Sequence, residues 1–366
     1  MILIYLMSLP TWGAQKHMQK AFADLEVLFP YIQSPSKFMD KKNEKLIHDH
    51  ITGLSNTFLN LKHEGLIKKD IFSPSYTKLR EDIDQIQKHI KQGEKEFVRW
   101  KLEELTAACV DCHSRIPKDY PPSLNYTLKL NQSNFESLYN LGIAHLILRN
   151  YFEAKNNFVA DIDQKMLQGL TGEITPSLKQ LLLVELKIKK DPESLVATFE
   201  HYRAKKLFPD SLKKVIATWQ TGLKLWKTTH KTNKPIHDDK ELDQFIAEHL
   251  KDEIWQPKGT RVKDIELLLI NGTLSEYFFS HPETKKGGLL NYWIGKTGDE
   301  LEVAGYQSNG KNFFLQCIFR YSNEPIAKEC LNSYRDIIKR LYQSESQIPS
   351  PLKLELDFYQ RLIKTN

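Results

Sequence analysis

The sequence predicts an all-α protein in which an antiparallel four-helix bundle is followed by a stack of helix pairs. Three observations lead to this class. Apolar residues in the first third recur at alternating steps of three and four, which is the spacing of one buried helix face. A proline-rich stretch, assigned as a linker over residues 119–134, then interrupts the pattern. Helical spacing resumes at residue 135.

The composition is that of a folded protein with more than one domain. The chain has 366 residues, of which 40% are hydrophobic and 27% are charged. These values exclude a mainly disordered chain, and the length predicts two or three domains. The 52 basic and 46 acidic residues are mixed along the chain, so the net charge of +6 does not indicate a nucleic-acid partner. No apolar run reaches the roughly 18 residues that a membrane span requires.

Residues 1–14 have the features of a secretory signal peptide. They begin with the apolar run MILIYLMSL, and small residues follow at a cleavage site after Gly13 or Ala14. No Lys or Arg precedes the run. The alternatives are that the true start lies upstream of Met1 or that the run is an apolar first turn of the first helix. The signal-peptide interpretation predicts export to the bacterial periplasm.

Four helices are predicted within residues 15–118, each with one apolar stripe. The stripes run from Met18 to Ile32, from Ile47 to Leu61, from Leu79 to Ile90 and from Val98 to Cys112. Short connections separate them, and short connections favour antiparallel neighbours. The first third is therefore predicted to be an up-down-up-down bundle, in which most of the stripe residues form the core.

The fourth helix ends in the motif Cys109-Val-Asp-Cys112-His113. C-x-x-C-H is the attachment signature of c-type haem. On a helix the two cysteines lie on one face, where their thiols can meet the two vinyl groups of one porphyrin. His113 follows Cys109 by four residues, so its imidazole can serve as the proximal iron ligand. The predicted cofactor is one covalently attached haem c.

Other uses of this cysteine pair have less support in the sequence. A thioredoxin-type C-x-x-C needs a βαβ context, and none is predicted. A zinc site needs further ligands at matching spacing, and there is no second C-x-x-C. A disulfide between residues three apart on one helix would constrain the chain very little. The sequence also contains no hydrolase, zinc-peptidase or phosphate-loop motif, so an enzyme is not indicated.

A four-helix bundle with AACVDCHSR near the end of its last helix resembles the cytochrome c prime family, the class II c-type cytochromes. The resemblance covers about residues 15–118. It implies that Cys109, Cys112 and His113 hold the haem. In that family the sixth iron position is either empty or filled by a Met from near the start of helix 1, and Met18 is the residue of this chain that matches.

The sequence itself leaves the role of Met18 open. In an antiparallel bundle the start of helix 1 lies beside the end of helix 4, and a thioether is a soft ligand that suits haem iron. Packing in the core is the alternative, since Met often fills gaps on such stripes. Arg115 and Lys118 follow the motif closely and are candidates either for pairing with haem propionates or for solvated surface charges.

The segment from residue 135 resembles one tetratricopeptide repeat. The matching positions are Leu138, Leu141, Gly142, Tyr151, Ala154 and Phe158. Further helices are predicted at 176–190, 193–206, 210–228, 239–250, 261–279, 311–322, 326–342 and 351–364. Stacks of such helix pairs bind other proteins, so residues 135–366 are expected to dock a redox partner. The alternative is a helical domain that merely packs against the cytochrome.

Cys317 and Cys330 lie at equal distances from the predicted turn at residues 322–325. Antiparallel helices would bring them level, so they can form a disulfide in an oxidising compartment. Two buried free thiols are the alternative.

Together these features predict an exported mono-haem c-type cytochrome for periplasmic electron transfer, with a helical repeat domain that docks its partner. The alternative is a haem-based gas sensor with an open sixth coordination site. A peroxidase-like enzyme would need a distal acid–base residue, which the sequence does not identify. Because the linker is rich in proline, few core contacts are expected to cross it, and the two halves are expected to be separable.

Overall fold

A computed structural model describes residues 12–61, 69–118, 130–229, 235–250, 262–342 and 345–364. Within these ranges it contains sixteen α-helices and no strand, which confirms the predicted all-α class. Residues 1–11, which hold most of the predicted signal peptide, lie outside the described residues, as do residues 119–129 of the predicted linker. None of the described helices combines the length and the apolar character that crossing a bilayer would take.

The first five helices precede the linker. They are α1 (Trp12–Ile32), α2 (Pro35–Met39), α3 (Glu44–Leu61), α4 (Ser73–Lys91) and α5 (Lys95–His113). The four long ones coincide with the four apolar stripes of the sequence. The short helix α2 was not predicted; it begins with a proline in its first turn, where the missing N–H costs nothing.

Eleven helices follow the linker within the described residues. They are α6 (Leu138–Ile147), α7 (Tyr151–Leu167), α8 (Ile174–Leu182), α9 (Pro192–Ala204), α10 (Asp210–Thr229), α11 (Asp239–His249), α12 (Val262–Ser280), α13 (Gly287–Val303), α14 (Gly310–Arg320), α15 (Ile326–Tyr342) and α16 (Ser350–Lys364). A π-helical turn over Leu183–Ile188 extends α8. Each helix predicted in this part of the chain is present within a few residues of its predicted ends.

The pair α6–α7 packs through residues that its sequence pattern singled out. Ala154 and Phe158 are fully buried. A Cβ atom placed on Gly142 would lie 2.5 Å from the ring of Phe158, so only glycine allows the two helices this close an approach. Ser137 and Asn150 cap the two helices by accepting hydrogen bonds from backbone N–H groups of their first turns.

One continuous cluster of buried apolar residues extends from α1 to α14, across the predicted linker. Aromatic pairs join the two halves: Phe29 lies 5.6 Å from Phe135, and Phe72 lies 5.7 Å from Phe279, measured between ring centroids. The expectation that few core contacts cross the linker is therefore wrong. A proline-rich connection lowers helicity locally, but it carries no information about how the flanking helices pack.

Polar contacts strengthen the same interface where α14 packs against α4. Asn312 donates a hydrogen bond of 3.2 Å to the carbonyl oxygen of Pro74, and Gln316 donates one of 2.6 Å to that of Asp70. The hydroxyl of Tyr321 bonds to the Asp70 carboxylate. Asn312 and Gln316 thus satisfy backbone carbonyls just before and at the start of α4, so the late helices help to fix the position of that helix.

The hairpin α14–α15 is closed by a disulfide between Cys317 and Cys330, whose Cα atoms are 6.2 Å apart. Both residues are fully buried. Of the two alternatives left open by the sequence, the structure has the disulfide.

Candidate haem site

A cavity lies beside the C-terminal end of α5, and water-sized spheres can occupy about 50 Å³ of it. Helices α1, α3, α4 and α5 contribute most of its wall, and Ile147 and Leu148 at the end of α6 complete it. The lining side chains are apolar except for Ser75, Tyr76 and the motif residues. An apolar cavity with a few polar groups is the usual form of a cofactor site.

The four site residues predicted from the sequence all line this cavity. Cys109, Cys112 and His113 enter it from the last turn of α5, and Met18 enters it from α1. The spacing of three residues puts both thiols on the same face of α5, as the motif requires. Met18 is half-buried and packs against the main core.

Cys109 and Cys112 are free thiols. Their burial in the apolar wall raises the pKa of Cys109 to about 12 and that of Cys112 to about 11. Both are therefore neutral at pH 7. Neutral sulfurs in an apolar wall are compatible with thioether links to a porphyrin, since such links carry no charge. Among the described residues, no three His, Cys, Asp or Glu side chains come together as a metal site.

The imidazole of His113 is held by a backbone contact from beyond the linker. Its Nδ1 lies 2.5 Å from the carbonyl oxygen of Ile147, and because a carbonyl can only accept, Nδ1–H is the donor. This hydrogen bond leaves the lone pair on Nε2 for a metal. Burial, assisted by the positive charge of Arg149, lowers the pKa of His113 to about 4, so the ring is neutral at pH 7.

The turn between α6 and α7 holds the end of α5 from the same side. The hydroxyl of Tyr151 lies 3.4 Å from the carbonyl oxygen of His113, and Arg149 donates a hydrogen bond of 2.6 Å to the carbonyl oxygen of Pro117. Arg149 has a φ of 60°, a left-handed conformation that is uncommon outside glycine. No pattern in the sequence indicates that this turn borders the motif.

Arg115 is buried, so the alternative of a solvated surface charge is wrong. Its side chain is buried and bonds to the carboxylate of Asp111 and the hydroxyl of Ser75. It also donates to the carbonyl oxygen of Ile71 at 2.9 Å. Its donors are thus used to join α5 to α4. Lys118, by contrast, is exposed.

A second buried cation approaches Asp111 from the π-helical turn. The Nζ atom of Lys187 lies 3.6 Å from the Asp111 carboxylate, and the residue is only 2% exposed. Burial lowers the pKa of Lys187 to about 8, and the charge of Asp111 opposes this shift. The protonated form of Lys187 therefore predominates at pH 7. Lys187 stands in the lysine-rich sequence LKIKK, which is typical of an exposed segment. Its burial beside Asp111 therefore could not be predicted from the sequence.

Comparison of the chain with family models, with curated proteins and with solved structures finds no match. The function of the site therefore has to be inferred from its own residues and geometry.

Proposed function

We propose that this protein is an exported mono-haem c-type cytochrome that transfers electrons in the periplasm. Cys109 and Cys112 would attach the haem, and His113 would bind its iron. The observation that carries this proposal is the hydrogen bond from His113 Nδ1 to the Ile147 carbonyl oxygen. It fixes the tautomer in which Nε2 can bind iron, inside a cavity that both thiols line.

The residues around the cavity fit a haem. Two thiols one helical turn apart match the two vinyl groups, and the apolar wall suits the faces of a porphyrin. When bound, the iron supplies one-electron exchange between its ferric and ferrous states. The chain would orient the iron through His113 and exclude water through the side chains of α1, α3 and α4.

The finer fold assignment belongs to the same proposal. Helices α1, α3, α4 and α5 would form the four-helix bundle of a class II cytochrome. The helices from α6 onward would form a tetratricopeptide-like stack that docks a redox partner. The packing of Gly142 against Phe158 supports the first repeat. The disulfide of the α14–α15 hairpin supports an oxidising compartment, which agrees with export.

Met18 favours the electron carrier over the gas sensor. Its side chain lines the same cavity as His113, so a thioether is available on the wall that α1 provides. An iron with both His and Met ligands has no open position for a small gas and rearranges little on electron transfer. The sensor becomes the better proposal only if Met18 does not bind the iron.

The test is covalent haem attachment in a host that carries a c-type maturation system. We expect the purified protein to have the mass of the chain plus one haem and to keep haem staining on a denaturing gel. Cys109→Ala should weaken attachment, because one thioether is lost. His113→Ala should keep the attached haem but lose its normal axial ligation in the optical spectrum.

The matched control is the double variant Cys317→Ala/Cys330→Ala, which removes two cysteines that do not line the cavity and should keep the haem. A wild-type protein from the same host with the mass of the haem-free chain would refute the proposal.

A further inference from the structure

Three buried charges lie behind the Cys112 side of the cavity. Arg115 is 2% exposed, Lys187 2% and Asp111 3%. The Asp111 carboxylate pairs with both cations. Two positive charges against one negative charge leave an excess of one positive charge inside the protein. Asp111 is adjacent to Cys112 in the chain, and the positive charges of Arg115 and Lys187 oppose the rise that burial causes in the pKa of Cys112.

The local structure fixes Lys187 in this position. It lies in the π-helical turn Leu183–Ile188, all of whose residues are buried. A π-turn accommodates one more residue than α-helical winding, which changes the side chains that face inward, and such turns are frequent at functional sites. A Cβ atom on Gly272 of α12 would lie 2.3 Å from the carbonyl oxygen of Lys187, so α12 packs directly against this backbone.

Packing and ion pairing do not fully explain why position 187 carries a buried positive charge. Arg115 bonds to one oxygen of the Asp111 carboxylate and joins α5 to α4 through Ser75, while Lys187 lies 3.6 Å from the other Asp111 oxygen. Burying a further cation is costly, and an apolar residue of similar size would fill the same space without that cost. The position is therefore better explained by an effect of the charge on the neighbouring site.

We propose that Lys187 raises the reduction potential of the haem by keeping a fixed positive charge behind the Cys112 side of the site. This inference rests on the function proposed above. Reduction adds one electron to the iron, and a nearby positive charge inside the protein favours the state that carries the additional electron. Net charge and burial around a redox centre are among the features that set its potential.

The experiment is a spectroscopic redox titration of the haem-loaded wild type and of Lys187→Met, Lys187→Arg and Lys189→Gln. Lys187→Met should lower the equilibrium constant for reduction at least about threefold, which is a negative shift of about 28 mV at 59 mV per tenfold. Lys187→Arg keeps the charge and should keep the potential. Lys189→Gln removes a half-buried charge just after the same turn, one that pairs with Glu185 and not with Asp111, and should shift the potential much less.

Two outcomes would overturn the inference. One is a folded, haem-loaded Lys187→Met protein with the wild-type potential. The other is an equal shift in Lys187→Arg, because packing and not charge would then be the cause. Thermal unfolding of each variant shows whether it is folded.

If Lys187→Met does not fold, Lys187→Gln removes the same charge but keeps a polar side chain that can still bond to Asp111. It should also lower the potential, and an unchanged or higher potential would contradict the inference. Intact mass separates this test from that of the function: a wild type without haem refutes both proposals, whereas haem-loaded proteins with equal potentials refute only this one.

Discussion

The two cysteine pairs of this protein occupy apolar regions, yet they have different chemistry. Cys109 and Cys112 lie one turn apart on α5 and face a cavity as free thiols. Cys317 and Cys330 face each other across the α14–α15 hairpin and are joined. The difference is geometric: two thiols on the same face of a helix point outward side by side, whereas thiols on facing helices point at each other. Spacing along the chain therefore separates a candidate cofactor site from a cross-link.

The surroundings of the two pairs differ as well. The first pair borders empty space, and its neighbour His113 has one ring nitrogen left for a metal. The second pair lies in a filled core with Phe314, Ile318 and Tyr334, all fully buried. We expect changes at the first pair to affect cofactor binding and changes at the second pair to affect stability.

The largest effect is expected from separating the halves. A fragment of residues 15–118 lacks the Ile147 carbonyl that holds His113, and it lacks Phe313, over whose ring the Arg115 guanidinium lies at 4.7 Å. It would expose an apolar surface and leave the buried charges of α5 in water. We expect no cooperative unfolding transition by circular dichroism, and we expect any attached haem to lack the His113 ligation of the full chain in its optical spectrum.

The matched control is the full chain cleaved within residues 119–129, in which both halves are still present and should stay associated. If the isolated fragment instead unfolds cooperatively with haem attached, the contacts across the linker are not needed for the site.

A smaller effect is expected at the disulfide. Cys317→Ala/Cys330→Ala opens a loop with a sequence separation of 13 residues. Loop-closure entropy predicts that the free energy of unfolding falls by about 3 kcal/mol, as measured by urea denaturation. Haem attachment should not change.

The paired experiment is Cys109→Ala/Cys112→Ala, which should abolish attachment but change the stability of the haem-free protein less. Loss of haem from the hairpin variant would contradict this division of roles.

The sequence was sufficient for the features that depend on local spacing. The helices follow from the period of their apolar residues, and the C-x-x-C-H motif is contained in one turn. The contact from Ile147 was beyond reach because it comes from a backbone carbonyl, which any residue would supply. Lys187 and Arg115 resemble surface residues in the sequence, and only packing between distant helices shows that they are buried.

The smallest change in stability is expected for Met18→Leu. The optical spectrum of this variant decides between the electron carrier and the gas sensor. Leucine keeps the apolar volume, so the cost should stay below about 1.5 kcal/mol, but it removes the thioether. If Met18 binds the iron, the variant should lose the weak long-wavelength absorption of a Met–Fe(III) bond and should bind carbon monoxide readily.

Met166→Leu is the matched control, because Met166 is buried in α7 and does not line the cavity. If wild type and Met18→Leu have the same spectrum and both bind carbon monoxide at once, Met18 only packs against the core, and the gas sensor replaces the electron carrier as the better proposal.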